Sequence, residues 1–101
     1  MREYTVILSE KAEDGLKEIY DYIASATFDS HFSDSFAMEI RYYIESMNFF
    51  PERFPIYAGN IRRAVYPKNT NYLIFFEIDE DASEIHVLKI VNAKQYTKYT
   101  G

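Results

Sequence analysis

The chain has 101 residues, is 48% hydrophobic and 18% aromatic, and carries a formal net charge of -5. It has no cysteine, which excludes disulfides and thiolate chemistry and makes an intracellular, cytoplasmic location the simplest expectation. No stretch approaches the roughly 18 apolar residues of a membrane span, and the first residues lack the apolar core and cleavage site of a signal peptide, so no membrane is expected as a partner.

In chain order, Tyr4 to Ser9 reads as a short strand rich in β-branched and aliphatic residues. Ser9 stands where a helix N-cap would, with Glu10 and Glu13 in the first turn. Ala12, Leu16, Ile19, Tyr20 and Ile23 follow at helical spacing and predict an amphipathic helix ending near Ala26. Gly15 inside it costs about 1 kcal/mol relative to Ala, and nothing in the sequence accounts for it. Thr27 to Ser33, including His31, reads as a polar loop, after which a second helix starts near Asp34. Phe36, Ile40, Tyr43, Ile44, Met47 and Phe50 mark its apolar stripe and Pro51 its end.

Pro51 to Gly59 reads as a loop with two prolines. Three strands are then expected: Ile61 to Val65, Tyr72 to Ile78 and one beginning at Ile85. Turns at Lys68-Asn69-Thr70-Asn71 and Glu80-Asp81-Ala82-Ser83 separate them. Tyr72 to Ile78 is almost continuously apolar and should be central. The reading is a single α+β domain over 1–101 in the order βααβββ. A helical hairpin packs on one face of a mostly antiparallel four-stranded sheet.

Charge divides along the same line. Residues 1–52 hold four Lys/Arg against eleven Asp/Glu, a net -7, whereas residues 53–101 hold seven against five, a net +2. The overall acidity argues against strong nonspecific binding to nucleic acid, while a local basic face could still touch phosphate.

The order and spacing of several pieces resemble the ParE/RelE superfamily of type II toxins, also described as plasmid stabilisation proteins. The pieces are Tyr4-Thr5-Val6-Ile7-Leu8-Ser9 leading into Ala12, Leu16, Ile19 and Tyr22-Ile23; then Ile40, Ile44, Met47 and Pro51; then Ile61-Arg62-Arg63; then Tyr72-Leu73-Ile74-Phe75-Phe76-Glu77-Ile78; and finally Ile85, Val87-Leu88-Lys89-Ile90. The resemblance implies a toxin held inactive by a cognate antitoxin protein, as a hetero-oligomer with it or a homodimer, and needing no cofactor. ParE-type members poison DNA gyrase; RelE-type members cut mRNA on the ribosome. The long, closely paired helices resemble the ParE branch. Asn92-Ala93-Lys94 stands where many members have His followed by Arg, and Leu73 stands where many have Arg after the strand-opening Tyr. The favoured expectation is therefore a ParE-like gyrase inhibitor without chemistry of its own. The alternatives are a ribosome-dependent endoribonuclease and a non-toxic, degenerate binding module of the same fold.

Cleavage of RNA by its own 2′-hydroxyl needs a base, an acid and cations facing the developing charge. The side chains available are Arg62, Arg63, His86, Lys89, Lys94, Tyr96 and Tyr99. On the nuclease reading, Arg62, Lys89, Lys94 and Tyr96 are the catalytic candidates; on either reading, Arg62, Arg63, Lys94 and Tyr96 are candidates for target or antitoxin contact. Ile61 and Val65 look the better core pair, which turns Arg62 to solvent. The plainer alternative makes both arginines structural, pairing with Glu77 or the C-terminal segment. Tyr96 and Tyr99 could stack on bases or anchor the tail. His31 and His86 lie far apart without cysteine and make no metal signature, and the turn after Ile78 lacks the Gly and Glu of a calcium loop. An antitoxin is expected in an apolar groove beside helices and sheet, with Phe28, Phe32, Phe49, Phe50 and Phe54 as candidate contacts.

Overall fold

The computed structural model describes residues 2–27 and 30–94. Phe28, Tyr96 and Tyr99 lie outside them. The elements are β1 (Thr5–Leu8), α1 (Glu10–Thr27), α2 (Ser30–Glu45), β2 (Ile56–Ala58), β3 (Ile61–Val65), β4 (Tyr72–Asp79) and β5 (Glu84–Asn92), with short 3₁₀ turns at Ser46–Asn48 and Pro51–Arg53. The helical hairpin covers one face of the sheet, as the pattern of apolar residues predicts. The sheet order is β1-β5-β4-β3-β2, with β1 parallel to β5 and the other pairs antiparallel.

Two boundaries differ from the sequence reading. The sheet has five strands, because Ile56–Ala58 pairs with β3 instead of forming loop. Gly59-Asn60 is the reason: a two-residue Gly-Asn turn between short strands is a hairpin signal, and Gly59 adopts φ +57, which a glycine enters without penalty. The second helix starts at Ser30, so His31 is helical and only two residues separate α1 from α2. Ser33 is fully buried.

The core lies between the helices and one sheet face. Ala12, Leu16, Ile19 and Ile23 come from α1, Ile40 and Ile44 from α2, and Ile74, Phe76, Ile85, Val87 and Ile90 from the sheet. Each of the larger side chains contributes about 1.5–3 kcal/mol relative to exposure. Tyr66, just past β3, is wedged under α2, with ring centroids 6.0 Å from Phe36 and 5.3 Å from Tyr43.

Gly15 now has an explanation. A Cβ built on it would lie 2.4 Å from the Ile90 carbonyl oxygen, so α1 can approach β5 this closely only without a side chain there. The helix propensity lost at Gly15 is offset by that backbone contact.

Candidate functional site

The helix-free face of the sheet carries the basic side chains, and a break in strand alternation puts them there. In β5, Ile85 and Val87 point into the core, and strict alternation would send Lys89 after them. Instead the register slips between Phe75 and Phe76. Phe76 faces Val87 while Phe75 faces Lys89, leaving Leu88 as an extra residue. This β-bulge transfers Lys89 to the open face and returns Ile90 to the core.

Lys89 there meets Arg63, on the neighbouring strand but one. The Lys89 ammonium stands 4.9 Å from the Phe75 ring centroid and the Arg63 guanidinium 5.2 Å from that of Tyr57. The two rings meet edge to face at 5.0 Å and 73°. Together with Leu73, Val91 and Ala93 they line a pocket of about 130 Å³. Arg63 Nε is buried and has no hydrogen-bond partner among the described residues. A buried, unsatisfied donor on a cation is costly, and an oxygen of an anion would relieve it. Among the described residues, no carboxylate or imidazole lines the pocket. Its cations and ring faces suit an anionic or π-faced group.

Arg62 is not part of it. Its face is that of Ala64 and Tyr66, both buried, whereas Ile61 and Val65 point to the open side and Val65 is 39% exposed. The expectation that Arg62 faces solvent on the side away from the core is therefore reversed. Tyr66, filling the space under α2, fixes the phase of the strand, and the aliphatic pair does not. Arg62 Nη1 donates to the carbonyl oxygens of Phe54 at 2.7 Å and Glu52 at 3.3 Å, clamping the loop before β2. These carbonyls take the place of the expected Glu77 partner.

The proposed nuclease side chains are thus divided. Arg62 and Lys89 lie on opposite faces of the sheet; Lys94 is exposed beyond β5, its backbone N–H donating to Asn92 Oδ1 at 3.0 Å; Tyr96 lies outside the described residues. His86 is on the open face but at its other end, 3.0 Å from Glu84. Sequence reasoning missed Tyr57 and Phe75 as site residues. Tyr57 was hidden in a supposed loop, although the Gly59-Asn60 turn beside it was legible. Of the phenylalanines considered for an apolar docking surface, Phe32, Phe49 and Phe50 are exposed, while Phe54 packs edge to face on Phe76 at 5.7 Å.

A family model described as the ParE toxin of the type II toxin–antitoxin system parDE matches residues 6–96. The chain belongs to the ParE toxin family. The match runs from within β1 through both helices and β2 to β5, so the Arg63–Lys89 face is part of a ParE-type domain. Among solved structures, the chain resembles a chromosomal ParDE toxin–antitoxin system from P. aeruginosa, with a TM-score of 0.77 at 15% identity over 91% of this chain and 98% of that one. The toxin–antitoxin complex RelBE2 from Mycobacterium tuberculosis gives 0.59 at 15% identity, covering 89% and 98%. A double arginine-to-alanine variant of the E. coli toxin RelE in the free state gives 0.62 at 10% identity, covering 97% and 92%. At these identities the likeness is one of fold. No curated protein matches the chain in sequence. Among the described residues, no helix is long and apolar enough to cross a membrane.

Proposed function

We propose that this ParE-family chain is a toxin that arrests growth by binding DNA gyrase, and that a cognate antitoxin protein holds it inactive. The observation carrying this reading is the make-up of the open face. Its two cations are stacked on aromatic rings, and no acid–base pair stands beside them among the described residues. Such a surface grips a partner through charge and ring contacts and needs no bond to break.

The antitoxin reading rests on a second surface. Met38 and Tyr42 on α2 are 73% and 77% exposed, and beside them Tyr43, Ser46, Tyr66 and Pro67 line a largely apolar groove of about 450 Å³. An amphipathic helix fits such a groove. The β2 edge, with Ile56 and Tyr57 exposed, offers an added strand a ladder to join.

The unsatisfied Arg63 Nε beside Lys89 also favours a second reading, in which the pocket takes an RNA phosphate on the ribosome. Lys94 and Tyr96 would then complete the set in place of Arg62. Induction without antitoxin separates the possibilities. A gyrase inhibitor lowers labelled thymidine incorporation before labelled amino-acid incorporation and leaves translated mRNA uncut by primer extension. A nuclease reverses the order and leaves cuts. Unimpaired growth would identify a non-toxic binding module and overturn both.

A further inference from the structure

At the far end of the open face, away from Arg63 and Lys89, the β4–β5 ladder gathers a different set of side chains. Asp79 faces Glu84 across the ladder and Glu77 faces His86, so all four project from the same side. His86 Nε2 is 3.0 Å from Glu84 Oε1 and 4.0 Å from Asp79 Oδ2. One donor atom from each of Asp79, Glu84 and His86 lies within 4.8 Å of the other two. Beside them Glu77, Ile78, Asp79, Glu80, Asp81 and His86 line a groove of about 430 Å³. The two histidines of the sequence do not meet; one histidine and two carboxylates from adjacent strands do.

From this juxtaposition we propose a binding site for a divalent transition-metal ion such as zinc, held by His86 Nε2, Asp79 Oδ2 and Glu84 Oε1. Donors around a four-coordinate zinc ion sit about 3.4 Å apart, given metal–ligand distances of about 2.0–2.2 Å. The contacts to His86 straddle that value, so small side-chain rotations close the set. An imidazole with two carboxylates selects zinc, nickel or cobalt over calcium and magnesium, which want an all-oxygen shell of six or more. Two carboxylates match the charge of the ion, and Glu77, Glu80 and Asp81 add negative potential around the entrance.

The site is held in shape from outside. Asp79 Oδ1 accepts the Ala82 N–H at 3.1 Å, which leaves Oδ2 turned toward His86. The turn that carries Asp79 and Glu84 is pinned by Arg2, which donates to Ser83 Oγ at 2.8 Å and pairs with Glu80 at 2.7 Å, and by Tyr4, whose hydroxyl donates to Glu80 at 2.9 Å. A bound ion would staple the ends of β4 and β5 beside β1.

Calorimetric titration of tag-free protein with zinc chloride, in a buffer that does not chelate, tests this. One equivalent should bind, the melting temperature should rise with zinc, and magnesium should not compete. His86→Ala and Glu84→Gln should each weaken binding at least about tenfold, and His31→Ala should leave it unchanged. A measurement on the unmodified chain guards against variants that fold poorly: cobalt(II) should broaden the amide resonances of residues 77–86 and spare those of α2. No saturable binding below about 1 mM, undiminished binding in His86→Ala, or broadening centred elsewhere would overturn the assignment.

Discussion

The Ser9 hydroxyl lies 2.9 Å from the Leu88 carbonyl oxygen and donates to it, while Ser9 Oγ itself accepts the Ala12 N–H at 3.0 Å. One side chain thus caps the first turn of α1 and satisfies the bulge residue whose insertion turns Lys89 outward. The start of a helix and the orientation of a site cation are joined through a single hydroxyl. Ser9→Ala should cost about 1–2 kcal/mol in urea denaturation, from the lost cap and the stranded carbonyl. Ser9→Asp keeps the cap but brings a carboxylate against Leu88 O, so it should not restore stability. A Ser9→Asp chain as stable as the parent would show that the bulge contact is idle.

Gly15 gives a prediction whose sign is opposite to propensity. In an open helix Gly15→Ala would stabilise by about 1 kcal/mol. Here the new Cβ would meet the Ile90 carbonyl at 2.4 Å, contact with backbone that cannot rotate away. α1 would have to lift from β5, and the unfolding midpoint should fall by an amount corresponding to about 1–3 kcal/mol. A rise in midpoint would contradict the close approach.

Arg62 and Arg63 are neighbours in sequence with different work to do. Arg62→Ala removes two hydrogen bonds to loop carbonyls and should destabilise by about 1–3 kcal/mol. Arg63→Met deletes a buried donor that has no partner among the described residues and should change stability by less than about 1 kcal/mol. Growth arrest on induction should nevertheless be lost with Arg63→Met and kept with Arg62→Ala wherever the protein accumulates. Measuring soluble protein alongside colony counts separates the two effects.

Tyr4 sets an alkaline limit. Burial, then hydrogen bonds to Glu80 and Glu52, push its phenol from 10.0 up to about 12, against the opposing pull of Arg2. Because the folded value is the higher one, its contribution is full below pH 10 and is lost as pH rises from there through about 12. Urea midpoints should fall across that interval, and Tyr4→Phe should flatten part of the decline. Tyr43, Tyr66 and Tyr72, also raised by burial, act in the same direction. An unchanged slope in Tyr4→Phe would contradict the role of the phenol.

The layers of the fold were legible because burial dictates them: Ala12, Leu16, Ile19 and Ile23 have nowhere to go but onto a sheet, and Tyr72 to Ile78 must be central. The ParE/RelE likeness followed from the order of those pieces. The face of each basic residue was harder to read. Alternation fails at Leu88, where one inserted residue flips Lys89, and it misleads at Ile61 and Val65, where the decisive core residue, Tyr66, lies just outside the strand. Gly15 was conspicuous but mute, because the carbonyl that requires it is 75 positions away in sequence. The grouping of Asp79, Glu84 and His86 depends on the β4–β5 register, which no local spacing reveals.

The central claim is that this ParE-family chain acts by binding gyrase and without chemistry of its own. The direct measurement is DNA supercoiling by purified gyrase with increasing amounts of the purified chain, with and without Arg63→Met. The account predicts dose-dependent loss of supercoiling with trapped cleavage complexes, relieved by the substitution. Unchanged supercoiling at high toxin concentration, with no cleavage complex, would contradict it.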